Sequence, residues 1–209
     1  MHITTRTATV LAAAAIGVAL VAGCSDEGSS SMEGHSMGSS TAMESSAPSA
    51  DAAADFSDAD VMFATMMYPH HAQAVEMADM VEGRTTNPDV IALAGEISAA
   101  QQPEMDQLAS WLSQWGQPAP SSDASSMEGM DHGSGSGMMT AQDMESLMTA
   151  SGPDFDRQWL TMMIEHHRGA VTMAEKEIAD GENPDAVALA RTIVETQNEE
   201  IARMQQLLG

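Results

Sequence analysis

Apolar residues recur at steps of three and four along four stretches of the chain, the period of one helical face. In the first stretch Phe63, Met66, Met67, His70, Ala74, Met77 and Val81 form one stripe. In the second, Ile91, Leu93, Ala94, Ile97, Gln101, Met105, Leu108 and Leu112 do the same. The third holds Trp159, Met162, Met163, His166, Ala170, Met173 and Glu177; the fourth holds Val187, Leu189, Ala190, Ile193, Gln197, Ile201, Met204 and Leu208. No stretch alternates with the period of a strand. The third and fourth stretches repeat the first and second without a gap, at a constant offset of 96. Asp60 answers to Asp156, His70 and His71 to His166 and His167, Gln101 and Glu104 to Gln197 and Glu200. A duplication is legible in this one chain.

The helix boundaries are also repeated. Asn87-Pro88-Asp89 and Asn183-Pro184-Asp185 open the second helix of each copy, with Asn as cap, Pro in the first turn and Asp near the positive end of the dipole. Gly83 and Gly181 fall in the preceding connections. Thr140 followed by Asp143 is a capping box that starts a short extra helix over about 141–149. Pro69 and Pro103 lie within helices of the first copy and should kink them, whereas Glu165 and Glu199 stand at those places in the second. An αα-hairpin with one apolar face cannot stand alone. Two of them packed face to face predict an all-α four-helix bundle, from residues 55–116 and 140–209.

The rest of the chain reads differently. Residues 1–23 contain no acid and run into an apolar stretch from Val10 to Ala22, too short for a membrane span but suited to a signal peptide. It ends Val21-Ala22-Gly23-Cys24, which resembles a bacterial lipobox. Cys24 would then be the lipidated first residue, holding the protein at the extracytoplasmic face of the cell membrane. Residues 24–54 and 117–139 are rich in Ser, Gly, Met and acid and poor in large apolar residues. They are expected to be a disordered tether and a flexible linker.

Charge and composition narrow the function. The chain carries 31 acidic against 7 basic side chains, a formal net charge of −24, which repels nucleic acid. One cysteine excludes a disulfide framework and a Cys-only zinc site. Aromatic residues, at 3%, are too few for a stacking platform. Methionine is the anomaly, with 20 copies. The block Met-Met-x-x-His-His occurs in both copies. Residues four apart stack on one helical face, so Met66 lies beside His70, Met67 beside His71, Met162 beside His166 and Met163 beside His167. Thioether with imidazole suits Cu(I), and Ag(I) by the same softness, far better than Mg²⁺ or Ca²⁺. Successive histidines point about 100° apart on a helix, so one copy's pair does not chelate a single ion. His70 and His166 share the core-facing stripe and could meet where the copies pack, with Met66 and Met162 completing a mixed site. Glu104 and Glu200, one turn beyond Gln101 and Gln197, are candidates to fix the imidazole tautomers from behind. The tether and linker add Met32, His35, Met37, Met127, Met130 and His132, whose methionines have no core to fill. These are candidate transient traps, and their His–acid pairs could hold Cu(II). Against all of this stands plain packing, since methionine is a common core filler.

From Asp156 through Trp159, Met162, Met163, His166, His167, Arg168, Gly169, Ala170, Val171 and Met173, the sequence resembles the DUF305 family. The resemblance covers 55–115 and 140–209, with Ala72-Gln73 in the first copy where the second has Arg168-Gly169. It implies a ferritin-like helical bundle, often secreted, in a family that includes copper-binding proteins. Carried over by position, it implies metal sites at Met66, Met67, His70 and His71, and at Met162, Met163, His166 and His167. The reading that unites these features is a lipid-anchored copper protein that sequesters or transfers Cu(I) without catalysis. The alternatives are a non-metal envelope interaction or oxidant-sink protein, and a di-iron oxidase. The oxidase would need Glu-x-x-His on two helices, which neither copy has.

Overall fold

The computed structural model describes residues 55–122 and 136–209. The expected signal segment, Cys24, the expected tether with Met32, His35 and Met37, and the linker positions Met127, Met130 and His132 lie outside the described residues. Five helices follow one another: α1 (Asp58–Asp79), α2 (Pro88–Gln114), α3 (Ala141–Thr149), α4 (Gly152–Asp180) and α5 (Pro184–Leu208). There is no strand among the described residues. Helix α1 packs against α2, α4 against α5, and the two hairpins join chiefly through α1 and α4. This is the four-helix bundle of duplicated hairpins, with α3 as an addition.

Local chemistry accounts for the boundaries. Asn87 accepts from Asp89 N at the start of α2, and Asn183 from Asp185 N and Ala186 N at the start of α5. Thr140 and Asp143 form a reciprocal capping box on α3. Ser57 and Asp60 form another on α1 that the Asn-Pro-Asp pattern did not announce. Helices α1 and α2 run on through Pro69 and Pro103.

The stripes face inward, with Met66, Met162, Met173, Val187 and Leu189 half-buried and with two corrections. Ile91 is 47% exposed and Leu208 38%, while Val90 and Ala186, one position off the expected stripe, are fully buried. Both misplaced residues lie in a terminal turn, where a small rotation of the helix decides which neighbour faces inward. The apolar core falls into two clusters. One gathers Phe63, Ala64 and Met67 of α1, Leu108 to Trp115, Ala170 and Ala174 of α4, and Ala186 to Ile193 of α5. The other gathers Ala74 to Val81, Val90 to Ile97, Phe155 to Ile164, and Ile201 with Met204, roofed by Met144 and Leu147 of α3. On every long helix the break between clusters falls at the histidines or at the Gln–Glu pair. A polar layer therefore cuts the core across its middle. Trp159 ties the hairpins together, its indole Nε1 donating to Met77 O at 2.8 Å.

A second buried polar contact stands away from that layer. Asp60 accepts from Ser57 N at 2.6 Å, Ser57 Oγ at 2.8 Å, Asn183 N at 2.9 Å and Glu182 N at 3.2 Å, so it also caps the α4–α5 turn. Beside it lies Glu177, 1% exposed, whose carboxyl meets no polar group other than that of Asp60. Burial, then the hydrogen bond and charge of Asp60 and the charge of Asp180, push Glu177 up to about 8, against a small opposing effect of Lys176. Burial also acts upward on Asp60, but the Ser57 backbone, Glu177, the Ser57 hydroxyl and Asn183 outweigh it and hold Asp60 down at about 2. At neutral pH the pair is one carboxylic acid donating to one carboxylate. A Cβ at Gly181 would overlap the Glu177 carboxyl, which is why a glycine ends α4.

Two outcomes follow for stability. Glu177 holds its proton more tightly folded than unfolded, so its contribution is complete below about 4.5 and is lost as pH rises through about 8. Glu177→Gln keeps a donor toward Asp60 and cannot ionise. In urea melts from pH 5 to 9, its stability relative to wild type should rise steadily; a constant difference would contradict the shared proton. Among the caps, Asn183→Ala should cost about 1–2 kcal/mol and the more open Asn87→Ala about 0.5–1 kcal/mol, measured the same way.

Candidate metal centre

The middle layer is built from the duplicated blocks. Their i, i+1 histidines diverge around each helix, so one of each pair faces the other hairpin and one faces its own partner helix. His70 and His166 are the facing pair: their rings stack with centroids 3.7 Å apart and planes inclined by 35°. His71 turns to α2, its Nε2 on Glu104 Oε2 at 2.7 Å, and His167 turns to α5, its Nε2 on Glu200 Oε2 at 2.8 Å. All four imidazoles are 0–1% exposed. The structure thus sets Glu104 and Glu200 behind the histidines of their own hairpins.

Burial decides the protonation of the facing pair. Loss of water holds His70 down at about 3, with the charges of His71 and His167 adding to it against a hydrogen bond to the Ser136 carbonyl. His166 is held well below its ordinary value by burial first and then by His70, His167 and His71. Both are neutral at physiological pH, the form in which imidazole ligates metal.

The hydrogen bonds then fix which nitrogen is bare. His70 Nε2 lies 2.9 Å from Ser136 O, and a carbonyl can only accept, so the proton sits on Nε2 and the lone pair on Nδ1. His71 and His167 give Nε2–H to carboxylates. The Nδ1 atoms of all four histidines are buried without a partner, and so is Nε2 of His166. Both amide atoms of Gln101 and the amide oxygen of Gln197 share that condition. A buried polar atom left bare costs about 1–3 kcal/mol, so such a concentration calls for a guest among these atoms. Neutral imidazole nitrogen is the right donor for a borderline or soft cation.

The methionines divide. Met67 and Met163 are fully buried, one in each apolar cluster, on either side of the histidine layer. Met66 and Met162 are half-buried, with Met162 packed on the cluster around Trp159. Among the described residues no three His, Cys, Asp or Glu side chains converge on one point. The layer suits an ion content with few ligands, such as Cu(I) or Ag(I), better than one demanding a full oxygen shell.

Five residues of this region escape the Met/His spacing. Gln101 and Gln197 stand out only as paired polar residues in apolar stripes. Gln73 and Gly169, which seat a backbone segment beside His70, stand out only as a difference between otherwise matching copies. Ser136 carries no side-chain signal, because it acts through its carbonyl.

Comparison with known proteins supports this frame. A family model described as a domain of unknown function, DUF305, matches residues 60–208. No curated protein sequence matches the chain. A DUF305 protein of known structure from Streptomyces coelicolor is 38% identical, with a TM-score of 0.62, over 72% of this chain and 91% of that one. A DUF305 fragment from Deinococcus radiodurans is 33% identical, with a TM-score of 0.65, over 73% of this chain and 97% of its own. CopM in its Cu(II)-bound form is 34% identical, with a TM-score of 0.61, over 71% of this chain and 95% of that one, and CopM has also been solved in Cu(I)-bound and Ag-bound forms. The chain belongs to the DUF305 family, its match running from the buried Asp60 of α1 to the last residue of α5.

Proposed function

We propose that this protein captures copper, with Cu(I) the favoured ion and Ag(I) or Cu(II) as further guests, and that it sequesters the ion or passes it on. The observation that carries this is the buried layer of four imidazoles whose Nδ1 atoms have no partner in either hairpin, with the facing pair His70 and His166 neutral. The similarity to CopM, solved with Cu(I), Cu(II) and Ag, supports it. His70, His71, His166 and His167 supply nitrogen. Met66, Met67, Met162 and Met163, one turn away, are the sulfur donors within reach of a small rearrangement. Glu104 and Glu200 hold the imidazoles that face them. Ion capture and release need ligands and access, and no acid, base or nucleophile is assigned a chemical step. The lipobox-like Val21-Ala22-Gly23-Cys24 supports an extracytoplasmic, membrane-anchored site of action, with Met32, His35, Met37, Met127, Met130 and His132 as outlying weaker traps.

Anaerobic competition with a chromogenic Cu(I) chelator tests the capture. The wild-type chain should take up at least one ion, and replacing His70, His71, His166 and His167 together with Ala should weaken uptake by tenfold or more. A stoichiometry below one that the substitution leaves unchanged would end the proposal. Added Ag(I) should raise the melting temperature of the wild type, by about 2.7 kcal/mol of stabilisation at a hundredfold excess over Kd, and should move the His-to-Ala variant much less. For the anchor, Cys24→Ala expressed in a bacterial host should leave the membrane fraction; retention there would remove lipidation from the reading.

A further inference from the structure

Three residues after the first histidine the two hairpins differ: Gln73 stands in α1 and Gly169 in α4. Both positions meet the same segment, the backbone from Ser136 to Met139 that leads into α3. Gln73 grips it by both ends of its amide, Nε2 donating to Met139 O at 2.9 Å and Oε1 accepting from Met139 N at 2.7 Å. Gly169 yields to it: a Cβ there would overlap the Ser136 carbonyl and crowd Gly137 N. Gly137 fits in turn because it has φ +70 and no side chain, for a Cβ would overlap the Glu165 carbonyl and press on that of His166. Seated this way, the segment presents Ser136 O to His70 Nε2. His71 and His167 receive the same service from Glu104 and Glu200 of their own hairpins. His70 receives it from a backbone carbonyl, and His166, its stacked mate, receives none.

We propose that Ser136–Met139 is a positioning strap, which holds His70 as the Nε2–H tautomer with Nδ1 free, and that Gln73 and Gly169 are the residues that seat it. The divergence between the copies at these two places is the asymmetry that one strap laid across two similar helices requires. One helix must reach out with a side chain where the other must withdraw. That the freed nitrogen serves an ion rests on the copper-binding reading above; the positioning itself does not.

The test uses the full chain with ¹⁵N-labelled histidine, as wild type, Gln73→Ala and Gly169→Ala. Alanine is the better helix former, so Gly169→Ala acts on the strap without weakening α4, and far-UV circular dichroism checks that helicity is kept. Wild-type His70 should show one protonated nitrogen, Nε2, and one bare nitrogen, Nδ1. In both variants those two shifts should move toward an average of tautomers, while His71 and His167 stay as they were. Unchanged His70 shifts in both variants would overturn the proposal. Cu(I) affinity is read in parallel, where loss of a supporting acceptor should cost about tenfold. If the wild type binds no Cu(I), the copper reading fails while the nitrogen shifts still decide the strap. If it binds and the variants keep both shifts and affinity, the strap fails and the copper reading stands.

Discussion

Four imidazoles buried in the middle of a helical bundle set the terms for everything around them. His71 and His167 face carboxylates, whereas His70 and His166 have no acid partner and must shed their charge, because a buried cation without a partner is far costlier than a neutral ring. Every ring in the layer has an N–H that needs an acceptor, and the neutral pair also has lone pairs that need a donor or a guest. Three acceptors are supplied: Glu104, Glu200 and the carbonyl of Ser136. No donor is supplied for the lone pairs. The apolar core accommodates this by splitting into two clusters, and the bundle is long enough for each to be closed. Methionine suits the boundary, since its unbranched side chain adapts to the irregular edge that a polar layer leaves.

Duplication explains how such a layer arises, and divergence explains how it became lopsided. The central residues are kept in both copies, down to the Gln and Glu one turn apart on α2 and α5. Away from the centre the copies part. Trp159 takes the place of Phe63 and gains a hydrogen bond across the hairpins. Glu177 takes the place of Val81 and pairs with Asp60, whereas Asp156, the partner of Asp60 in the repeat, has a buried oxygen with no bond at all. One half is therefore fastened by a shared proton between acids, the other by hydrocarbon and by Arg84, which bonds to the Met148 and Ala150 carbonyls at the end of α3.

The chemistry of the layer and the character of its neighbours in the family agree. Nitrogen donors that are buried and bare on one side suit a cation that sheds water readily. Thioethers a turn away extend the preference toward the soft end. The two carboxylates of the layer, Glu104 and Glu200, are already engaged with histidines.

Much of this could be read from the chain alone, and the division follows from range. Helix extents, the repeat, the caps at Asn87, Asn183 and Thr140, and the short α3 depend on neighbours within four residues, which the sequence displays directly. The stripe also marks His70 and His166 as inward-facing. It does not say that their rings stack, that Met67 and Met163 are claimed by opposite halves of the core, or that Ile91 and Leu208 turn outward. Those depend on how α1 meets α4, a matter of shape complementarity over a whole face. Least legible were the contacts made by backbone and by single substitutions: the Ser136 carbonyl on His70, the place Gly169 leaves for it, and the proton held between Glu177 and Asp60. These contacts join residues 66, 33 and 117 positions apart, and only the folded packing brings such groups into one dry space where a hydrogen bond or a proton is worth enough to matter.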